Sequence, residues 1–339
     1  MRTADLDFDL PPELIAQEPP PVRSDARMLH FDRTTGRIAH RQVRDLPSIL
    51  RTDDLLVFND TKVIPARFTL RKPTGGLIEA LWLAGEDKRW QVLLKNLGPV
   101  DPDATLAFVA DPGVTLRVVA KREHDGYDAE CSHDASVLDR VGRMPLPPYI
   151  KRAKGSDGRD EADRERYQTV VADVGRSVAA PTAALHFDPP LLAALSEAGV
   201  PRTSVNLEVG MGTFKPVTAE DLDAHDMHSE RWRIEPTAAD AINVCRGRII
   251  AIGTTSCRTL ESQPTGDIRP GSGETDLLIQ PPYTPRHVDA LLTNFHLPKS
   301  TLIALVDGFI GTEARRRVYV EAIEQRYRFF SYGDCMLIE

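Results

Sequence analysis

The sequence predicts an α/β protein in which a layered main domain is interrupted by a small antiparallel β-barrel. Between residues 67 and 131, short β-rich runs are separated by Gly, Pro, Asp or Glu, and no helical period interrupts them. From residue 188 onward, strand-like and helical runs alternate, as in layered α/β sheets. We therefore assign residues 1–66 and 135–339 to a discontinuous α/β domain, and residues 67–134 to an inserted six-stranded barrel.

Each element is predicted from its hydrophobic period and its flanking breakers. The barrel strands are predicted at residues 67–72, 77–84, 89–95, 105–110, 114–122 and 127–131. The later strands of the main domain are predicted at residues 202–209, 231–234, 248–252 and 288–292. Its later helices are predicted at residues 238–246, 256–262, 301–310 and 312–327.

Composition limits the functional classes. The 339 residues are 41% hydrophobic and 27% charged, as in ordinary globular proteins of two domains. The four cysteines are scattered without a C-x-x-C pair, which favours a reducing cytosol and disfavours a structural zinc site. We find no signal peptide and no apolar run that spans a bilayer, so we expect a cytoplasmic protein.

The net charge of -8 makes the chain a poor non-specific binder of nucleic acid. A nucleic-acid substrate therefore requires local basic patches. Residues 315–317, all arginine, offer one on the last long helix. Arg23 and Arg27 lie in a proline-rich loop, where they either bind a phosphate or carboxylate or are simply solvated.

Residues 293–302 are the first candidate site. They follow a predicted strand and precede a predicted helix, and the carboxyl edge of an open α/β sheet is where ligands bind. Asn294, His296 and Ser300 bring polar groups there, and Ser300 or Thr301 can cap the helix. The alternative is an ordinary capped helix beside a hydrogen-bonded histidine.

The second candidate begins at Gly253, where glycine and three hydroxyl residues separate a buried strand from a helix. This arrangement is typical of phosphate or carboxylate binding, although the Walker pattern is absent. Arg258 in the first helical turn is placed to meet an anion. Cys257 also stands at the helix start, but without an identifiable base we favour a packing role for it.

The densest group of ionisable residues is the segment 223–230. Its H-x-x-H-x-E spacing does not match the H-E-x-x-H zinc motif, so a metal site is disfavoured. Alternate residues of a strand share a face, which would place His228 beside Glu230 as an acid/base pair or as a surface ion pair.

Several long motifs in this sequence resemble one family. They are LLVFND (55–60), MPLPPYI (144–150), YQTV (167–170), VAAPTA-x-LHF (178–187), GTFKPV (212–217), MHSE (227–230), GTTS-x-R-x-LES (253–262), TNFHLP-x-STL (293–302) and YRFFSYGD (327–334). Together they resemble the S-adenosylmethionine:tRNA ribosyltransferase-isomerases of queuosine synthesis, over nearly the whole chain.

The resemblance implies a reaction. A ribosyl unit passes from S-adenosylmethionine to 7-aminomethyl-7-deazaguanine at the tRNA wobble position, giving epoxyqueuosine with release of adenine and methionine. The sulfonium acidifies the neighbouring 5′ protons, so that a base can remove one, and the departing adenine needs a proton from an acid. We expect no metal and no cofactor, with S-adenosylmethionine as co-substrate, and a monomeric enzyme.

The resemblance also suggests roles. His186, His228 and His296 are the candidates for proton transfer, because an unperturbed imidazole titrates near neutral pH, and Glu230 is expected to orient His228. Arg258 is expected to hold the methionine carboxylate or a tRNA phosphate, and two rings, Phe187 and Phe295, to stack on bases. Hydroxyl and amide groups expected to bind the ligand are those of Thr182, Thr254, Thr255, Ser256, Asn294 and Ser300.

This chain departs from the family pattern at five positions. They are Glu208 in place of a histidine, Met211 in place of a small residue, Ala184 in place of glycine, Cys257 in place of an aliphatic residue and Pro282 in place of glycine. A carboxylate in place of an imidazole changes acid/base chemistry. The alternative function is therefore an S-adenosylmethionine-binding relative that acts on a small-molecule acceptor or has no catalytic activity.

Overall fold

The computed structural model describes residues 1–98, 104–123, 126–152, 158–210 and 217–339. The chain forms two compact units: one comprises residues 1–62, 168–175 and 180–339, and the other residues 63–167 and 176–179. We call them the main unit and the barrel unit. Met211 and the predicted two-glycine strand end at residues 210–217 lie wholly or mostly outside the described residues.

The strands and helices of the described chain are numbered in chain order. The strands are β1 (Arg27–Phe31), β2 (Ile38–Gln42), β3 (Leu55–Asn59), β4 (Thr61–Val63), β5 (Arg67–Arg71), β6 (Leu77–Glu86), β7 (Arg89–Lys95), β8 (Thr105–Phe108), β9 (Thr115–Lys121), β10 (Tyr127–Cys131), β11 (Val174–Ser177), β12 (Arg202–Leu207), β13 (Glu230–Ile234), β14 (Ile249–Ile252), β15 (Gly271–Thr275), β16 (Ala290–Asn294) and β17 (Cys335–Ile338). The helices are α1 (Leu46–Ile49), α2 (Leu138–Val141), α3 (Asp160–Arg166), α4 (Pro189–Glu197), α5 (Pro236–Asn243), α6 (Thr254–Glu261), α7 (Thr301–Ile310) and α8 (Thr312–Glu324).

The main unit contains a nine-stranded mixed sheet in the order β15-β13-β12-β3-β14-β16-β17-β1-β2. Strand β3 pairs in parallel with β12 and β14, and β14 pairs in parallel with β16. The carboxyl ends of these four strands therefore lie at one edge of the sheet. Strand β17 runs antiparallel to β16 and parallel to β1, and so joins the β1–β2 hairpin to the rest of the sheet.

The central strands β3 and β16 are buried at every position, as expected for strands covered on both faces. Their apolar side chains pack in one core, where Leu56, Ile250 and Leu292 contribute from three neighbouring strands. Phe187 closes this core through an edge-to-face contact with Phe58, at 4.9 Å between ring centroids. This packing fixes the strand ends from which the functional residues project.

The barrel unit contains a closed six-stranded antiparallel barrel in the order β10-β7-β6-β5-β8-β9. Side chains alternate between interior and surface, so that Ile78, Ala80 and Trp82 of β6 are buried. Phe68 and Phe108 stack inside it, at 4.6 Å between ring centroids. The predicted fold class, an α/β sheet with a small antiparallel barrel, is confirmed.

Three local differences from the sequence expectation matter for the site. Strand β16 extends to Asn294, so Thr293 and Asn294 belong to the strand and not to the turn after it. Helix α6 begins at Thr254, which makes Thr254 and Thr255 helical. Strand β17 was not predicted, because its four residues are a short continuous apolar run without alternation.

The expected basic patch on α8 does not form. Arg315 is fully buried and donates from Nε to Asp307 Oδ1 at 2.8 Å, and Arg316 pairs with Glu313 at 3.8 Å. Arg317 donates to the backbone oxygen of Gly36. Consecutive side chains of a helix point in different directions, and here each of the three arginines makes a separate contact.

Candidate functional site

A pocket in the main unit gathers residues from four segments. It encloses about 580 Å³ of empty space, part of it open to solvent. Its lining residues are His225, Met227, His228, Glu230, Thr254, Thr255, Arg258, Leu277, Leu278, Ile279, Thr301, Leu302 and Leu305. The polar members come from the segment 225–230, from the start of α6 and from Thr301, and the apolar wall comes mainly from α7 and the segment 277–279.

The start of α6 is shaped by Gly253, which links β14 to the helix at a φ of 94°. This left-handed value favours glycine. A Cβ added there would lie 3.5 Å from the Cβ of Ala183 and 3.7 Å from Thr255 Oγ1. The strand therefore turns directly into the helix, and Thr254 and Thr255 reach the pocket. Ser256 does not, because its fully buried hydroxyl donates to the carbonyl oxygen of Ile252 at 3.0 Å.

Arg258 is the charged centre of the pocket. Its Nη1 donates to Glu230 Oε2, and its Nε donates to the carbonyl oxygen of Leu277 at 3.0 Å. Its Nη2 is buried and has no hydrogen-bond partner among the described residues, and the same is true of Thr255 Oγ1. Buried polar atoms are nearly always paired in folded proteins. Two unpartnered polar atoms beside one pocket therefore indicate the place of a polar ligand group.

The expected pairing of Glu230 with His228 is replaced by a different contact. Strand β13 begins at Glu230, so His228 precedes the strand and does not share its alternation. Glu230 is 6% exposed and also accepts from the backbone nitrogen of Gly210 at 3.2 Å. His228 is exposed at the pocket. Glu230 consequently orients Arg258, while His228 faces the pocket from its rim.

His186 lies with Asn294 and Thr182 in a second group, outside the pocket lining. Asn294 Nδ2 lies 3.2 Å from His186 Nε2 and donates to the carbonyl oxygen of Phe330 at 3.0 Å. Thr182 Oγ1 donates to Asn294 Oδ1 at 3.5 Å. Because the carbonyl of Phe330 can only accept, the atom facing His186 is the amide nitrogen. His186 Nε2 is therefore the acceptor, and the ring carries its hydrogen on Nδ1.

His296 is also buried, and its Nε2 lies 2.9 Å from Thr293 Oγ1. Its backbone nitrogen donates to the hydroxyl of Tyr319 at 3.1 Å. Ser300 caps α7 by accepting from the backbone nitrogen of Ile303, and donates to the carbonyl oxygen of Leu297 at 2.9 Å. The hydroxyl of Ser300, expected to bind a ligand, is thus used to hold the helix start.

Burial changes the proton chemistry expected of two histidines. It lowers the pKa of His186 to about 4, with a further decrease from the charges of Arg328 and Arg23. It lowers the pKa of His296 to about 3. Both rings are therefore neutral at pH 7, and neither titrates near neutrality as we expected from the unperturbed side chain. They are suited to donate or accept hydrogen bonds and not to supply a proton as imidazolium.

The expected stacking of Phe187 and Phe295 on bases is wrong. Both rings are fully buried. Phe187 belongs to the sheet core described above, and Phe295 lies in an aromatic cluster, 5.1 Å from Phe329 and 5.6 Å from Tyr319 between ring centroids. A ring enclosed on all sides by core side chains has no face to offer a ligand.

The positions at which this chain departs from the family pattern differ in burial and in their contacts. Glu208, half-buried just after β12, donates from its backbone nitrogen to the carbonyl oxygen of Arg231 at 2.9 Å. Ala184 and Cys257 are fully buried, and burial raises the pKa of the Cys257 thiol well above its usual range. Pro282 follows Pro281 through a cis peptide bond. Glu208 is half-buried and Pro282 is exposed, whereas Ala184 and Cys257 have no accessible side chain.

The pocket therefore brings together part of the predicted site. Its predicted members are His228, Glu230, Thr254, Thr255 and Arg258. The predicted residues outside its lining are Thr182, His186, Phe187, Ser256, Asn294, Phe295, His296 and Ser300. The sequence did not predict the apolar wall at residues 277–279, because no local pattern distinguishes a pocket wall from the core. His225 was not selected either, although it belongs to the ionisable segment 223–230.

No group of three or more His, Cys, Asp or Glu side chains in the described ranges is arranged to hold a metal ion. No helix there is both long enough and apolar enough to cross a bilayer.

We expect the two buried histidines to make the protein less stable as the pH falls from 7 to 5. Below the ordinary histidine pKa of about 6.5 the unfolded chain binds protons there, whereas the folded chain does not until about pH 4 or 3. Each histidine then removes about 1–2 kcal/mol of unfolding free energy by pH 5. Denaturant titrations at pH 7, 6 and 5 measure this loss.

The pKa values of the Asp54 and Glu339 carboxyl groups are lowered in the folded chain. Their contribution to the unfolding free energy is complete above the ordinary carboxyl pKa, so it is lost at a lower pH than the contribution of the histidines. His186→Asn and His296→Asn should each flatten the dependence between pH 7 and 5. A wild-type stability that stays constant over this interval would contradict the neutral state assigned to both rings.

The fold and the pocket define a two-unit α/β protein with a polar ligand pocket beside the sheet and a separate β-barrel. The chain belongs to the queuosine biosynthesis protein family, whose family model matches residues 3–338. Two curated relatives carry the name S-adenosylmethionine:tRNA ribosyltransferase-isomerase. The relative from Geobacter metallireducens is 45% identical over the full length of both chains, and that from Acidithiobacillus ferrooxidans is 47% identical over 100% of this chain and 98% of its own.

A solved structure is similar over the same extent. It is an S-adenosylmethionine tRNA ribosyltransferase from Thermotoga maritima, 32% identical, with a TM-score of 0.56 over 99% of this chain and 100% of that one.

Proposed function

We propose that this protein is an S-adenosylmethionine:tRNA ribosyltransferase-isomerase of queuosine biosynthesis. The observation that carries the proposal is the similarity of 45–47% identity, over essentially full length, to relatives that bear this name. The enzyme transfers and isomerises the ribosyl moiety of S-adenosylmethionine onto 7-aminomethyl-7-deazaguanine at the tRNA wobble position. Epoxyqueuosine is the product, and adenine and methionine are released.

The pocket supplies groups suited to the co-substrate. The unpartnered Nη2 of Arg258 and the hydroxyl of Thr255 offer donors to the methionine carboxylate. Glu230 fixes the Arg258 guanidinium by accepting from its other terminal nitrogen. The apolar side chains of Leu302 and Leu305 form a wall against which the uncharged parts of the ligand can lie.

The reaction moves protons at defined atoms. A base removes one 5′ proton beside the sulfonium, and the bond from ribose to adenine breaks as adenine takes up a proton. The substrate amine forms a new bond to C1′ and loses a proton, and C1′ releases the ring oxygen as well as adenine. The electron pair left on C5′ forms a new bond to C1′, and the released ring oxygen closes the epoxide on C5′ as the carbon–sulfur bond breaks and methionine leaves. His228 is the histidine of the three candidates that faces the pocket, so we assign it to proton transfer.

The remaining parts of the proposal follow from the family reaction. S-adenosylmethionine is consumed as a co-substrate, and no separate cofactor or metal takes part. The partner is tRNA that carries the deazaguanine precursor. The enzyme acts as a monomer in the cytoplasm, where its tRNA substrate is found.

The test is incubation of the purified protein with S-adenosylmethionine and precursor-bearing tRNA, followed by mass analysis of the nucleosides and assay of free adenine. We expect epoxyqueuosine and adenine in equal amounts. We also expect His228→Ala to lower kcat about 100-fold or more, since general acid–base catalysis contributes roughly 10²–10⁴-fold. Near-native kcat in this variant would remove the role assigned to His228.

The same experiment also tests the alternative function, in which a small molecule replaces tRNA as the acceptor. Glu208 stands where the family has a histidine, and a carboxylate there can serve as a base or favour the positive charge of the sulfonium. Adenine release without nucleoside modification would favour a small-molecule acceptor over tRNA. Absence of both products would contradict the transferase proposal itself.

A further inference from the structure

The group around His186 has chemistry that the pocket does not use. The amide nitrogen of Asn294 donates one hydrogen bond to His186 Nε2 and one to the carbonyl oxygen of Phe330, so the ring hydrogen of His186 lies on Nδ1. His186 is 3% exposed, yet its Nδ1 makes no hydrogen bond with any described residue. An N–H at the accessible edge of a nearly buried ring, which donates to no described residue, is available to a ligand acceptor.

Arg23 reaches this group from the proline-rich loop. The short 3-10 turn Arg23–Asp25 packs against the turn Thr182–His186. Contacts that hold it include those of Ser24, whose backbone nitrogen donates to Asp188 Oδ2 at 3.2 Å, and of Arg23, whose Nη1 donates to the carbonyl oxygen of Gln168 at 2.9 Å. Arg23 is half-buried, so its charge is held near the surface beside His186.

Arg328 lies in the segment after α8, which is tied to the group through Phe330. Two residues later, the carbonyl of Phe330 accepts from the same Asn294 amide that holds His186. Phe330 has a φ of 75°, a strained value for a non-glycine residue, so its place is imposed by these contacts. Arg328 Nη1 donates to the carbonyl oxygen of Glu18 at 3.4 Å, and Nη2 lies 3.6 Å from Asp334 Oδ1.

We infer that Arg23, Arg328 and the Nδ1–H of His186 form an oxyanion site for a backbone phosphate of the tRNA substrate. This inference rests on the proposed function. Two guanidinium groups and a neutral N–H donor are the groups that bind phosphate oxygens, and such contacts fix the register of a nucleic acid. The charges of both arginines are felt at His186, where they lower its pKa together with burial.

A phosphate fits this site better than the methionine carboxylate. The carboxylate already has Arg258 and Thr255 in the pocket, and none of the three residues inferred here lines that pocket. Arg328 is 36% exposed at its side chain, as expected for a residue that meets a large partner at the surface. A chain with a net charge of -8 needs such local positive sites to hold tRNA.

The test compares Arg23→Gln/Arg328→Gln with Arg316→Gln, a control that removes a half-exposed arginine of α8. Steady-state kinetics are measured against tRNA and against S-adenosylmethionine at several salt concentrations, and tRNA binding is measured separately by fluorescence anisotropy. We expect the double variant to raise KM and Kd for tRNA about 10-fold or more and to reduce the salt dependence of log Kd by about 1. KM for S-adenosylmethionine should not change, and Arg316→Gln should resemble wild type.

Three results would overturn the inference: tRNA affinity and its salt dependence equal to wild type, a rise in KM for S-adenosylmethionine alone, or no binding of tRNA by the wild-type protein. Failure of the proposed function is distinguishable, because it appears as absent epoxyqueuosine in the wild-type assay. The anisotropy measurement reports on the phosphate site whether or not turnover occurs.

Discussion

Arg258→Met lowers kcat/KM for S-adenosylmethionine by about 100-fold or more. The substitution removes the buried guanidinium whose Nη2 has no partner among the described residues and is placed for the ligand carboxylate. A hydrogen bond to a charged group contributes about 1.5–3 kcal/mol, and a guanidinium can offer two to one carboxylate. Steady-state kinetics with saturating tRNA measure the loss, which should fall mainly on KM for S-adenosylmethionine.

The structural role of Arg258 needs its own control, because the single variant leaves Glu230 buried without its cation. Glu230→Gln/Arg258→Met removes both charges and should recover most of the unfolding free energy lost by the single variant. Its KM for S-adenosylmethionine should remain high. If the double variant regained wild-type kcat/KM, Arg258 would act only through stability and the ligand role would be wrong.

Arg315→Met lowers the unfolding free energy by about 3–5 kcal/mol, since it leaves the carboxylate of Asp307 buried without its partner. Arg315 binds Asp307 at 2.8 and 3.2 Å and also donates to the backbone oxygen of Asp5 at 2.8 Å. These contacts join α7, α8 and the N-terminal segment. Denaturant unfolding monitored by tryptophan fluorescence and by circular dichroism gives the free energy of unfolding.

Asp307→Leu/Arg315→Met is the matched control. Replacing both members of a buried ion pair with apolar residues is often neutral or stabilising, so the double variant should lie close to wild type. Thr312 Oγ1 also donates to Asp307 Oδ2 at 3.2 Å, so that hydroxyl loses its acceptor in the double variant. A single variant as stable as wild type would show that the pair does not hold these helices together.

Much of the fold could be predicted because local sequence patterns determine its strands and helices. The barrel strands alternate buried and exposed positions, and the bounds of α7 follow from Ser300 as cap and Gly311 as stop. Strands β15 and β17 could not be found this way. The first begins Gly-Ser-Gly and lies at a sheet edge, and the second gains its strand character from its neighbours β16 and β1.

The site was predictable in part for a physical reason. Polar residues follow the end of β14 and precede the start of β13, so Thr255, Arg258 and His228 could be selected from the sequence. Burial, by contrast, is set by the whole fold, and it removed Phe187 and Phe295 from the ligand-contacting set and lowered the pKa of two histidines. The pairing of Arg258 with Glu230, 28 residues apart in sequence, is likewise a tertiary feature.

The position of β17 has a consequence for biosynthesis. This strand lies between β16 and β1, yet its residues 335–338 are made after every other strand of the sheet. While the chain is being synthesised, the β1–β2 hairpin has no neighbour to pair with, and both its free edge and that of β16 stay open. Ribosome-bound chains that lack these four residues should therefore expose strand edges to chaperones.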